Sequence, residues 1–291
     1  MELAQSSVEA RGLTFSYLEA GPADGPLALC LHGFPDSAWT YRHLLPELAE
    51  AGFRAVAPWM RGYAPTDVPP DGRYQTGALA ADANALHEAL GGDGRAVIVG
   101  HDWGASATYG ALSSQPDRWA RGVTMAVPPF AAMAGGFLTY RQLKRSWYMF
   151  FFQSPLADMA VAADDLAFIE RLWVDWSPGY EGRDDVAHVK DALRGTANLQ
   201  AALGYYRATF GTAPPDPALA AEQAATAQIP SQPVLYLHGR DDGCLGVELV
   251  GGVSAFLSAG SAAEIIDDCG HFLHVEKPKE VNTRIVDFLT S

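Results

Sequence analysis

The stretch "VGHDWGAS", residues 99–106, decides how the chain is read. Gly100, Asp102 and Gly104 have the spacing of the G-x-S-x-G nucleophile elbow, with an aspartate where serine is expected. That motif needs a strand before it and a helix after it. "RAVIVG" (95–100) is an apolar run of strand length, and "WGASATYGALSS" (103–114) reads as a helix. The elbow therefore sets a carboxylate at the end of a buried strand.

Outward from the elbow, strand-type and helix-type runs alternate. "LTFSYLEA" (13–20), "PLALCLHG" (26–33), "FRAVAP" (53–58), "RGVTMAV" (121–127), "PVLYLHG" (233–239) and "AEIIDD" (263–268) read as strands. "AWTYRHLLPELAEAG" (38–52), "TGALAADANALHEALGG" (76–92) and "PKEVNTRIVDFLT" (278–290) read as helices. This rhythm predicts an α/β fold whose mostly parallel sheet has helices on both faces. It lapses over residues 128–230, which hold aromatic-rich helical segments and no clear strand. They are flanked by "PPF" and the Pro/Ala-rich "GTAPPDPALAAEQAATAQIPSQP". We read 1–127 and 231–291 as the core domain. We read 128–230 as a helical cap inserted over the C-terminal edge of the sheet, where open α/β sheets bind ligands.

The composition narrows the function classes. With 291 residues, 48% of them hydrophobic, the chain can bury one large core plus a subdomain. A net charge of −14 with no basic stripe argues against nucleic acid and anionic membrane surfaces. No run approaches the roughly 20 apolar residues of a membrane span, and "MELAQSSVEARG" lacks the basic-then-apolar order of a signal peptide. Cys30, Cys244 and Cys269 are odd in number and lack metal-ligand spacing, so they read as reduced, buried thiols. The expectation is a soluble cytoplasmic protein.

An elbow nucleophile needs a base, and the chain order for this architecture is nucleophile, acid, histidine. "LHGRDDGC" supplies Asp241 and Asp242 after a late strand. Asp242 is preferred because the recurring pattern sets the acid three residues after the glycine, here Gly239. "CGHFLHVEKP" supplies His271 after the last strand, while His274 reads as a packing residue. His101, inside the elbow, likewise reads as packing. "LHGFPD" (31–36) ends the second strand, and loops of this kind lend a backbone N–H to an oxyanion hole; the donors are then Phe34 and Trp103. The same loop must turn sharply, which predicts a cis Phe34–Pro35 peptide.

With "HGFPDSAW", "RGYAPTD", "GHDWGAS" and "GHFLHVEKP" together, the sequence resembles the α/β-hydrolase family throughout its length. More narrowly, it resembles the soluble epoxide hydrolases. Two further motifs, "WYMFFFQSP" and "GYYR", carry that narrower likeness. It implies a cap tyrosine four residues before the phenylalanine of F-Q-x-P, which is Tyr148, and a second just before an arginine, which is Tyr206. It also implies that Arg61 and Asp67 hold the loop beside the nucleophile. Ser154 departs from the pattern, where the family usually has glutamate.

An aspartate suits a saturated carbon. A carboxylate can displace at the carbon of an epoxide or alkyl halide and form an alkyl ester. Water activated by His271, itself oriented by Asp242, then hydrolyses that ester between the two backbone donors. An opening epoxide develops an alkoxide that needs a proton, which two phenols can give. A departing halide needs weakly basic N–H donors instead, so a haloalkane or haloacetate dehalogenase using Trp103 and Trp147 is the alternative. A non-catalytic receptor on the same fold is a third reading. A serine-type esterase is disfavoured, because acyl transfer to a carboxylate gives a labile anhydride. The chemistry needs no cofactor and no metal. The expected partners are a small apolar epoxide and water, acted on by a monomer or homodimer.

Overall fold

A computed structural model describes residues 3–291. Eight strands form one sheet: β1 (Ala4–Ala10), β2 (Leu13–Ala20), β3 (Leu27–Leu31), β4 (Arg54–Pro58), β5 (Val97–His101), β6 (Arg121–Met125), β7 (Val234–Gly239) and β8 (Ala262–Ile266). Their spatial order is β1-β2-β4-β3-β5-β6-β7-β8. β1 and β2 pair antiparallel, β2 meets β4 antiparallel, and every later neighbour is parallel. Every residue of β3, β5 and β7 is buried, so both faces of the central sheet are covered.

The order reverses around β3, which has β4 on one side and β5 on the other. The loops that follow β3 and β5 therefore diverge and leave a crevice at the carboxyl ends of the strands. Helices α1 (Leu44–Glu50), α2 (Thr76–Ala89) and α3 (Trp103–Ser114) connect β3 to β4, β4 to β5 and β5 to β6. The 3₁₀ turn Ala38–Tyr41 precedes α1, where the sequence suggested one continuous helix from 38. Pro46 explains the break: it has no N–H for the carbonyl of Arg42, and its ring would clash there, so the helix can begin only just before it.

Between β6 and β7 the chain is helical, with no strand among the described residues. It forms α4 (Phe130–Met133), α5 (Tyr140–Arg145), α6 (Trp147–Phe151), α7 (Ala157–Trp176), α8 (Arg183–Leu193), α9 (Thr196–Phe210) and α10 (Ala220–Ala225). The last of these packs against α2 and α3, and Gln223 accepts the Gly77 N–H. Of the others, α5, α7 and α9 reach loops at the carboxyl ends of the strands, with Gln142 donating to the Cys244 carbonyl, Trp173 to that of Pro35 and Tyr205 to that of Arg61. α7 is interrupted: Asp164, Asp165 and Leu166 all have left-handed backbone angles. Several close contacts anchor the helical segment to the sheet's loops, among them the Gly243 and His271 amides, which donate to the Trp176 carbonyl at 3.1 and 3.0 Å. The Trp173 indole N–H donates to the Pro35 carbonyl at 2.9 Å, and its ring stacks on Phe272 at 3.6 Å between centroids. α11 (Leu273–Glu276) and α12 (Pro278–Thr290) close the chain, and α12 packs with α1.

Candidate active site

Asp102 sits between β5 and α3 with φ 52° and ψ −117°, a left-handed value that only a sharp turn imposes on an aspartate. The flanking glycines are needed for close approach rather than for flexibility. A Cβ on Gly100 would lie 2.2 Å from the Gly104 carbonyl oxygen, and one on Gly104 would lie 2.0 Å from that of Leu31. Any side chain at either position would push the elbow off the sheet. The carboxylate is only 6% exposed at the residue level. Its Oδ1 accepts the Phe34 amide N–H at 2.8 Å. The Phe34–Pro35 peptide is cis, as is Ala64–Pro65, which the sequence did not flag. Trp103 opens α3, so its own amide N–H has no carbonyl a turn earlier to bond.

His271 follows β8 and reaches across to the elbow. Its Nδ1–H donates to Asp242 Oδ2 at 2.9 Å, and its Nε2 lies 3.6 Å from Asp102 Oδ2 with no hydrogen-bond partner among the described residues. Asp242 is fixed in turn by the Cys244 and Leu245 amides, which donate to its Oδ1 at 2.7 and 2.9 Å. Asp241, weighed beside it, is exposed. Burial opposes a charge on His271, but the Asp242 carboxylate and the nearby Asp102 outweigh it and push its pKa up to about 10. Burial likewise opposes the charge on Asp242, and the His271 cation reverses that and holds its carboxyl below the usual range. The neighbouring His274 is kept well below its ordinary value by burial, then by His101 and His271. His271 thus holds a proton that His274 does not.

Tyr148 on α6 and Tyr206 on α9 meet over this group with ring centroids 5.6 Å apart. Both are buried. The Tyr206 hydroxyl is unpartnered among the described residues, and its ring stands edge-on to those of Trp103 and Phe34. The Tyr148 hydroxyl lies 3.2 Å from Cys244 Sγ. Burial, followed for Tyr206 by the Asp102 charge and for Tyr148 by Cys244, raises both phenols well above 10, so both keep their protons. Trp147, the residue beside Tyr148, turns away: it is 46% exposed and packs on Phe151 and Phe168. Ser154, where the resemblance led us to expect glutamate, accepts the Leu156 N–H in a local turn.

Two features were not legible from spacing. Cys244 lies with Asp102 and His271, its sulfur within 4.8 Å of their facing atoms. Beside His271, Asp36, His101 and His274 form a second buried group. There His101 Nε2–H donates to the His271 carbonyl at 2.9 Å, and His274 Nε2 meets the Thr40 hydroxyl at 2.6 Å. Both histidines are buried, in keeping with packing roles. Arg61 forms a buried ion pair with Asp82, and Asp67 accepts the Thr14 amide, which ties the loop that carries them to α2 and β2.

The family model for the alpha/beta hydrolase fold matches residues 26–278. The chain belongs to the alpha/beta hydrolase family. Within it, this α/β-hydrolase is similar to epoxide hydrolase 3 of Xenopus tropicalis, with 31% identity over 287 residues that cover 96% of this chain and 75% of that protein. It is similar to epoxide hydrolase A of Mycobacterium tuberculosis, with 28% identity across 97% of this chain and 96% of that one. A solved epoxide hydrolase structure from Bacillus megaterium superposes with a TM-score of 0.84 at 25% identity, covering 98% of this α/β-hydrolase and all of that chain. No helix among its described residues is long and apolar enough to cross a membrane.

Proposed function

We propose that this chain is an epoxide hydrolase working through a covalent ester on Asp102. The observation that carries the reading is the convergence of two protonated phenols over a buried carboxylate whose opposite flank faces His271. In the first step an Asp102 oxygen attacks a ring carbon and the C–O bond breaks. Tyr206, assisted by Tyr148, gives its proton to the leaving oxygen. The proton that His271 holds at rest replaces the one lost from the phenol, through water. Esterification also removes the Asp102 charge that helped to keep His271 protonated, so the imidazole becomes a base when a base is needed.

In the second step neutral His271 takes a proton from water, which attacks the Asp102 carboxyl carbon. The oxyanion lies between the Phe34 and Trp103 amides. The ester C–O bond to Asp102 breaks, and the vicinal diol leaves with Asp102 ionised and His271 protonated again. Helices α4–α9 act as the cap in this reading, and the whole of 128–230 as the inserted domain. The aromatic surround of Phe34, Trp103, Phe152 and Trp176 supports a small apolar epoxide as substrate. The fuller proposal is a cytoplasmic enzyme, active as a monomer or homodimer.

A halide reading has one observation in its favour, the buried indole N–H of Trp103, which has no partner among the described residues. Trp147, its expected second donor, faces outward. Paired epoxides and haloalkanes separate the readings: we expect diol and no halide. Mixed with an epoxide, His271→Gln should accumulate the substrate's mass on the peptide bearing Asp102. Release of halide without diol, or no adduct despite wild-type turnover, sinks the proposal.

A further inference from the structure

The proposed reaction leaves one group of this site unused, the Cys244 thiol. It is buried, and it reaches the centre from the loop after β7, while Asp102 and His271 come from the loops after β5 and β8. We propose that Asp102, Cys244 and His271 form a binding site for a single thiophilic divalent cation of the Zn²⁺ or Cd²⁺ kind, and that its occupancy blocks the nucleophile. The binding site stands apart from the hydrolase reading, and only the block of Asp102 as nucleophile rests on it; the charge-transfer band and the binding heat test the site, loss of turnover the block.

Three observations carry the inference. The first is distance. A carboxylate oxygen, the Cys244 sulfur and a His271 nitrogen lie within 4.8 Å of one another, and the Asp102 Oδ2 to His271 Nε2 separation is 3.6 Å. A tetrahedral zinc site, with bonds of about 2.0 Å to nitrogen and oxygen and about 2.3 Å to sulfur, has ligand–ligand edges of about 3.3–3.6 Å. The nitrogen and oxygen already stand near that spacing, and the sulfur has only to close inward by about 1.3 Å at most.

The second observation is orientation. His271 Nε2 is fully buried, unpartnered among the described residues and aimed at the other two groups, while its Nδ1–H is held by the Asp242 carboxylate. That is the carboxylate–histidine–metal arrangement, in which the outer acid fixes the ring and raises its donor strength. The third is the surround. Asp242 and Asp102 make the spot anionic, and the Tyr148 hydroxyl at 3.2 Å from the sulfur can donate to a thiolate. Three protein ligands leave a fourth position for water. On binding, the cation displaces the thiol and imidazolium protons to solvent, and no electron changes hands.

The test is a titration of the full chain with CdCl₂, followed by the ultraviolet thiolate-to-cadmium charge-transfer band and by binding heat. One equivalent should produce the band and abolish turnover, and EDTA should restore it. Cys244→Ser should remove the band and weaken Cd²⁺ binding at least about 100-fold, since even an outer-shell loss costs roughly 10–100-fold. A Cys30→Ser/Cys269→Ser variant should keep both. Asp102→Asn should retain the band with weakened binding, which decides the matter if Cys244→Ser fails to fold. Absence of the band in the wild type, unchanged affinity in Cys244→Ser or Asp102→Asn, or loss of the band with Cys30 and Cys269 overturns the site.

Discussion

At the scale of single residues, the two phenols are not equivalent. The Tyr206 hydroxyl, beside the Trp103 ring, has no hydrogen-bond partner among the described residues, whereas Tyr148 rests on Cys244. Tyr206→Phe should therefore slow ring opening more than Tyr148→Phe. Both changes together should remove most of the roughly 10²–10⁴-fold contribution of a general acid. Hydrolysis of an ester already formed on Asp102 should be nearly untouched. Single-turnover mixing checks this: near wild-type alkylation in the double variant would exclude the tyrosines as donors. Gly33 gives a steric counterpart. A Cβ there would sit 2.3 Å from both Asp102 Cβ and Oδ1, so Gly33→Ala should displace the elbow, lowering kcat and costing about 1–3 kcal/mol of stability, read by comparing kcat with Tm. The elbow, the acid and the base were readable because their glycines and chain order are local signals. Cys244 was not, because no motif marks a cysteine two residues after the acid, and only the folded loop brings its sulfur to Asp102 and His271.

At the scale of elements, the interruption in α7 stands out. Asp164, Asp165 and Leu166 have φ of 50°, 53° and 60°, where non-glycine residues are strained by roughly 1–2 kcal/mol each. Asp165 is held by Arg194, and Leu166 is buried, but Asp164 is exposed. Asp164→Gly should relieve strain in excess of the added unfolded-chain entropy, a net gain of about 0.5–1 kcal/mol. Calorimetry should show this as a Tm rise of about 1–3 °C, and a fall would contradict it. Nothing local announces this turn, since no glycine or proline marks it. The first strand was equally hidden. β1 lies at the sheet edge with nearly every side chain exposed, so it lacks the apolar alternation that marks β2. Its turn, Arg11–Gly12, has φ of 49° and 74°, the positive values of a tight hairpin. By contrast β2 and α12 run over the residues their patterns predicted, because each presents one apolar face to the core.

For the whole molecule, the charges at the site are coupled to folding. His271 has its pKa raised to about 10 from 6.5, so its contribution to stability is complete below 6.5 and is lost as pH rises through 10. Asp242 is lowered from 3.8, so its contribution holds above 3.8 and is lost as pH falls through the lower folded value. The Tm of wild type and His271→Gln should accordingly differ most between those limits and converge toward pH 10; parallel curves would show that the imidazole's charge is not linked to folding. One feature of the architecture has a further reach. The nucleophile, base and backbone donors belong to the sheet's own loops, but both phenols belong to helices above it, joined to the loops by the Trp173 contacts. In the proposed mechanism ring opening draws on groups from both sides of the seam between sheet and helices, and ester hydrolysis on those of the loops alone. Yet the amides of Gly243 and His271 donate to the Trp176 carbonyl at the end of α7, at 3.1 and 3.0 Å. The helix that roofs the site is thus also a strut for the loops of the acid and the base, and it has to stay seated through both halves of a turnover.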